Sequence, residues 1–272
     1  MKKLLVLLTL ISLLASCLLA CEQEDTDSLR VGMDLRFYPF TGMDSTGKPA
    51  GLEVDIAKAL GDYLGQEVVL INTEFPMLIP ALQNGEIDVV IGSMSITEDR
   101  EKTVDFSKPY LYDKVVALVN KDYAEKNGID DDLAVEDFFK IKDTRYIGIT
   151  GSIAVSIPAS YGFNVQAVTS EAVAEREIVT GGADVLVGAY TLYGMHHNNK
   201  QTTLMYKRAI EASSIGMAVK EGNHQLLDDI NSFIDQMESS GLNDQLRQSW
   251  DKALGDKLFD PTINLDYYLN LE

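Results

Sequence analysis

The stretch Ile91-Gly92-Ser93-Met94-Ser95-Ile96-Thr97-Glu98-Asp99-Arg100 concentrates groups that can bind an anion. A hydrophobic strand runs out into small hydroxyl residues, and Thr97 is a good N-cap for the helix that follows. In open α/β sheets ligands sit beyond the carboxyl ends of strands, near helix N-termini that favour negative charge. Arg100 falls in the first helical turn, where its charge opposes the helix dipole. Its planar fork suits a carboxylate. On the residues alone, either a ligand anion meets it, or Glu98, Asp105 or another surface acid does. The histidines offer less: His196 and His197 beside Asn198-Asn199-Lys200, and His224 in a Gly-Asn-His-Gln turn, read as solvated loop residues. No catalytic triad, metal-ligand or phosphate-loop spacing stands out, so neither metal nor cofactor is expected.

The elements that must position these groups alternate strand and helix, the pattern of sheets with crossover helices. Strands are expected at residues 29–33, 68–71, 87–91 and 115–119, with helices at 53–64 and 77–84, the latter stopped by Gly85. A second series places strands at 146–150, 165–168, 183–187 and 215–219. Helices are expected at 171–179, capped by Ser170, at 225–239 and at 244–254. Residues 121–133 read as a polar surface segment, and the chain after residue 254 has no pattern.

The amino terminus reads as an export signal. Lys2 and Lys3 precede an apolar run over residues 4–14 that is too short for a comfortable membrane span. Leu14-Ala15-Ser16-Cys17 and Leu18-Leu19-Ala20-Cys21 both resemble the lipobox of bacterial lipoproteins. Cys21 is the better anchor, because the acidic tether 22–28 starts right after it, whereas Cys17 would leave an apolar tripeptide there. An acylated cysteine ties a domain to a membrane surface and leaves it in water. The chain's 2 cysteines are these two, so the rest holds no disulfide and must rely on its core. Roughly 250 remaining residues suffice to bury about 70–75% of the unfolded surface. The formal charge of −19 argues against nucleic acid or anionic lipid as partners.

An ordered series of motifs then marks a family. It runs through Val31-Gly32-Met33-Asp34, Pro39-Phe40, Gly51-Leu52-Glu53-Val54-Asp55, residues 78–88, Ser95 to Arg100, and Asp105-Phe106-Ser107-Lys108-Pro109-Tyr110. The chain resembles family 3 of the bacterial extracellular solute-binding proteins from Leu29 to about Leu254. The resemblance implies an α/β, two-lobe clamshell of the type II periplasmic-binding-protein kind, each lobe a mainly parallel sheet flanked by helices. It divides the chain into a signal peptide (1–20), a tether (21–28), lobe 1 (29–115 and 214–272) and lobe 2 (116–213), with hinge strands near 115–119 and 213–219. It also implies an extracytoplasmic monomer that hands a small carboxylate ligand, an amino acid, to the permease of an ATP-driven (ABC) importer.

Carried over by position, the carboxylate-binding arginine is Arg100. Ser93 supplies a carbonyl for the ligand ammonium, and Ser95 an amide and a hydroxyl. Phe37 and Phe75 sandwich the ligand side chain, and Asp34 reads a side-chain cation. For these last three, the residues alone favour core packing and loop capping. Gly151, Ser152 and Ile153 resemble the lobe 2 loop whose amides close over the carboxylate. One position departs from the pattern. The family's ammonium-binding aspartate falls on Ala189, so Tyr190, Thr191 or Asp34 must compensate, or the ligand lacks an α-amino group. Two other roles fit the resemblance less well. A cyclohexadienyl-dehydratase-like enzyme needs a general acid at a position occupied here by Leu192, and a sensor lobe needs a membrane receptor as partner.

Overall fold

A computed structural model describes residues 28–270 of the chain. The signal sequence, Cys17, Cys21 and nearly all of the tether lie outside the described residues. Ser28, placed in the tether by sequence, is instead the first residue of a strand. The described residues hold twelve strands in chain order: β1 (Ser28–Met33), β2 (Gly42–Met43), β3 (Pro49–Ala50), β4 (Glu67–Asn72), β5 (Val89–Val90), β6 (Val104–Phe106), β7 (Leu111–Asn120), β8 (Tyr146–Ile149), β9 (Val165–Val168), β10 (Val185–Gly188), β11 (Thr203–Ile215) and β12 (Ala218–Lys220). Ten of them build two five-stranded sheets, ordered β4-β1-β5-β12-β6 and β11-β7-β10-β8-β9, and β2 and β3 pair with each other, so the fold is the expected two-lobed α/β architecture.

Each sheet is mixed rather than mainly parallel. β1 runs parallel to β4 and β5, but β12 returns antiparallel to β5 and β6. In the second sheet β8 runs parallel to β9 and β10, while β7 is antiparallel to both β10 and β11. The antiparallel pairs arise where the chain passes between sheets on β7 and β11 and must come back. The expected strand 215–219 accordingly splits: Ile215 ends β11, and Gly216 sits against Ile96 and Phe106 where a Cβ would lie 2.9 Å from the Ile96 side chain.

One device recurs in both sheets. Arg30, on β1, forks onto Asp88 at 3.0 and 2.6 Å and donates to the Gly85 carbonyl at 2.7 Å. Arg145, just before β8, forks onto Asp184 at 3.0 and 2.5 Å and donates to the Gly182 carbonyl at 2.9 Å. Each bidentate pair fastens the head of a strand to the glycine turn that launches its parallel neighbour.

Helices cover the sheets largely where their periodicity places them: Leu52–Leu64, Leu78–Asn84, Glu171–Thr180, His224–Gln236 and Leu242–Lys257. Ser170 stands at an N-cap position, but its side chain makes no capping bond. The polar segment 121–133 contains a helix, Lys121–Asn127, capped by the Asn120 side chain. The histidine pair is not in a loop either. Both close the helix Thr191–Asn198, where His196 Nδ1 lies 3.0 Å from Thr203 Oγ1 and His197 stacks on Phe259. The carboxyl-terminal stretch also folds back: the helix Leu265–Leu269 buries Tyr268 edge-on against Phe40, at 4.9 Å between ring centres. Phe40 in turn contacts the ring of Tyr190, so the end of the chain supports the floor between the sheets. Tyr268→Ala should lower unfolding free energy by about 3–5 kcal/mol, the scale for deleting a large buried aromatic; urea unfolding curves would check it.

Candidate functional site

A cavity of about 290 Å³ lies between the two sheets, lined from one side by Phe37, Phe75, Ser93, Ser95 and Arg100 and from the other by Ser152, Ile153, Glu171, Ala189 and Tyr190. The loop after β5 makes its first wall. Ser93 takes a left-handed backbone conformation (φ 49°), rare for a residue with a side chain. Glu53 holds it there: one carboxylate oxygen accepts the Ser93 amide at 2.7 Å and the other accepts its hydroxyl at 2.7 Å. The Tyr110 hydroxyl donates to the same carboxylate. Glu53 is fully buried, and desolvation pushes its carboxyl above the ordinary range against those hydrogen bonds.

Thr97 caps the short helix Glu98–Glu101 as expected and sets Arg100 on its inner side. Arg100 is 8% exposed. Its guanidinium donates to the Ser95 carbonyl at 2.6 Å and, across the cavity, to the Gly151 carbonyl at 2.8 Å, while lying 5.4 Å from the centre of the Phe75 ring. Neither Glu98 nor Asp105 pairs with it. Asp105 accepts from the Gly222 amide, and among the described residues no carboxylate comes within ion-pair distance of Arg100. Burial pushes its pKa down to about 10, so it stays cationic at neutral pH. A buried cation whose protein partners are all neutral is poised for an anion.

Of the other expected site residues, seven line this cavity and two, Gly151 and Asp34, do not. Ser95 and Tyr190 are buried, and Phe37, Phe75, Ser93, Ser152 and Ile153 are half-buried in its wall. Gly151 contributes its carbonyl to Arg100. The Ser152 amide is committed to the Ile149 carbonyl at 3.0 Å, as is its hydroxyl at 2.8 Å, so that amide is not available as a carboxylate donor. Asp34 is a correction. Its carboxylate is taken by Arg36 at 2.7 and 2.6 Å and by the Phe75 amide at 2.9 Å, and it is not among the cavity-lining residues. It positions Phe75 instead, because Arg36 two residues along supplies its counter-charge.

Two carboxyls that sequence reasoning missed do line the cavity. Asp113, on β7, is 6% exposed, and burial pushes its carboxyl up to about 8 despite the backbone amides of Lys114 and Tyr190, which favour the charged form. Glu171 opens the helix Glu171–Thr180, and burial raises it to about 7 against the Thr191 hydroxyl. Strand β7 was recognisable from its apolar centre, but Asp113 lies in its polar approach, where no periodicity marks a site.

The sequence matches the model of the bacterial extracellular solute-binding proteins, family 3, over residues 29–253. The chain belongs to that family. Its relatives include the L-cystine-binding protein TcyJ of Escherichia coli, 26% identical with 84% of each chain covered. Another is the ABC transporter glutamine-binding protein GlnH of Bacillus subtilis, 31% identical over 84% of this chain and 83% of that one. Among solved structures, an ancestral arginine-binding protein bound to arginine superposes with a TM-score of 0.69 at 32% identity, covering 82% of this chain and 98% of that one. The ancestral amino acid-binding protein AncCDT-1, described as a precursor of cyclohexadienyl dehydratase, gives 0.67 at 30% identity, covering 82% and 95%.

The buried acids of this family 3 binding protein carry a pH signature. Asp113 keeps its proton to higher pH in the folded chain than in the unfolded one, whose value is near 3.8. The folded state therefore loses relative stability as pH rises from about 4 toward about 8. Asp113→Asn removes that slope, so the variant's stability relative to wild type should increase between pH 5 and pH 8 in urea titrations. An equal difference at both would contradict an uncompensated buried carboxyl.

Proposed function

We propose that this protein captures an amino acid between its two lobes, gripping the carboxylate with Arg100, and presents it to the permease of an ABC importer. The single observation that carries this reading is the Arg100 guanidinium, buried in the inter-sheet cavity and met, among the described residues, by carbonyls and an aromatic face and by no carboxylate. Replacing a neutral carbonyl partner by a carboxylate gives a charge-assisted, forked contact. The reading is supported by relatives named for cystine, glutamine and arginine binding. We assign lobe 1 to residues 29–115 and 214–272 and lobe 2 to 116–213, with β7 and β11 as the hinge pair. Arg100 from lobe 1 and Gly151 from lobe 2 then meet at the mouth, and a ligand touching both lobes favours closure through its differential affinity for the closed state. The reading takes binding rather than turnover as the activity. It is supported by relatives named as binding proteins and by Leu192, a buried side chain with no proton to give at the position where a dehydratase-like enzyme needs its acid.

The reading includes export and anchoring of a monomer outside the cytoplasm; the leader and Cys21 with its acidic tether support the export and the anchor. Two outcomes test the reading. Calorimetry with L-glutamine, L-arginine, L-histidine and L-cystine should show Arg100→Ala losing about 3–5 kcal/mol of binding, the scale for breaking a buried charge pair; unchanged affinity rejects the assignment. Labelling cells with an alkyne fatty acid should tag the wild type and Cys17→Ala but not Cys21→Ala, and a tag that persists in Cys21→Ala moves the anchor to Cys17.

A further inference from the structure

The cavity holds a second buried ionisable group with no side-chain counterpart. Asp113 and Glu171 are the acids in its lining, and their surroundings differ. Glu171 accepts from the Thr191 hydroxyl and lies in the field of Arg36. Asp113 has neither: among the described residues no lysine, arginine or histidine forms an ion pair with it, and its carboxylate accepts only the main-chain amides of Lys114 and Tyr190. It is nonetheless 6% exposed and faces the cavity.

Its place relative to Arg100 is fixed by a short chain of contacts. Asp113 on β7 stands opposite Ser213 on β11. The Ser213 hydroxyl donates to the Ser95 hydroxyl at 2.7 Å, and the Ser95 carbonyl accepts from Arg100 at 2.6 Å. The cation and the unpaired acid therefore belong to one wall, separated by two serines. The Tyr190 amide that reaches Asp113 follows directly on Ala189, a residue whose methyl group can hold no cation.

We propose that Asp113 receives the ammonium group of the ligand whose carboxylate Arg100 holds. The assignment rests on the amino-acid reading above. A zwitterion laid along the wall gives Arg100 its opposite charge and lets Asp113 ionise against an ammonium, so the desolvation of Asp113 is offset only when an ammonium arrives. Asp113 thereby becomes the residue that separates amino acids from plain carboxylates.

The test uses amine-bearing and amine-free pairs in calorimetry: L-glutamine with 4-carbamoylbutanoic acid, L-arginine with 5-guanidinopentanoic acid, L-histidine with imidazolepropionic acid, and L-cystine with 3,3′-dithiodipropionic acid. In the wild type the amino acid of the binding pair should be favoured. Asp113→Asn, which keeps the shape and the acceptor oxygen, should weaken that amino acid by about a hundredfold or more and leave its amine-free partner unchanged, which also shows that the variant is folded. Glu171→Gln should keep the preference. If Asp113→Asn keeps it, or if Glu171→Gln alone loses it, the assignment is overturned. Wild type that binds the amine-free acids as well as the amino acids overturns this inference yet leaves Arg100 as the carboxylate site. Wild type that binds neither class overturns both.

Discussion

Among the described residues the carboxyl of Glu53 has no counter-ion, yet three separate parts of the molecule are hung on it. It sits at the start of the first helix, Leu52–Leu64, and takes the amide and hydroxyl of Ser93 and the hydroxyl of Tyr110. The helix can begin there because Gly51 lets the backbone pass the Phe40 carbonyl, where a Cβ would come within 2.0 Å. Holding Ser93 in a left-handed conformation costs of order 1–3 kcal/mol, and the same bonds that meet this cost satisfy a carboxyl that could not otherwise be buried. The cleft loop, the first helix and the approach to β7 thus form one rigid unit. Arg100 inherits its position from that unit, seven residues beyond Ser93.

The charges of the cavity make sense only when the buried and half-exposed ones are kept apart. Asp34 with Arg36, Asp88 with Arg30 and Asp184 with Arg145 are paired, forked and structural. Their arginines reach solvent, which keeps such pairs modest in stability and useful mainly for geometry. Arg100 and Asp113 are different in kind. Each is buried, each is held by neutral backbone groups, and burial moves each toward its neutral form, to about 10 and about 8. The formal −19 of the whole chain bears on neither of them.

Much of this was legible in the sequence, for identifiable reasons. Helices with a broad apolar face, such as Leu52–Leu64, and strands bounded by glycine turns were placed to within a residue or two. The strand-to-helix run ending at Arg100 announced a binding loop because an arginine in a first turn has no local reason to be there. Which groups pair with which was not legible. Nothing near Asp34 says that Arg36 will claim it rather than a ligand, nor that β11 will extend from Thr203 to Ile215 as one strand. The tail after residue 254 lacked a pattern because Tyr268 buries its ring against Phe40, far away in the sequence. Asp113 escaped notice since a lone acid in a strand approach reads as solvated surface until the sheets are brought together.

The order of strands in the first sheet also bears on how the chain can fold. β6 joins that sheet only through β12, and β12 is also the antiparallel neighbour of β5. The second sheet draws all its strands from one uninterrupted stretch, from Leu111 to Ile215, whose two ends are themselves register partners. A chain emerging amino-terminus first can therefore complete the second sheet while the first still lacks its fourth strand. The nascent first lobe has to wait, with β5 and β6 presenting open edges, until residues beyond Gly216 arrive. The part of the molecule that begins first is the part that finishes last.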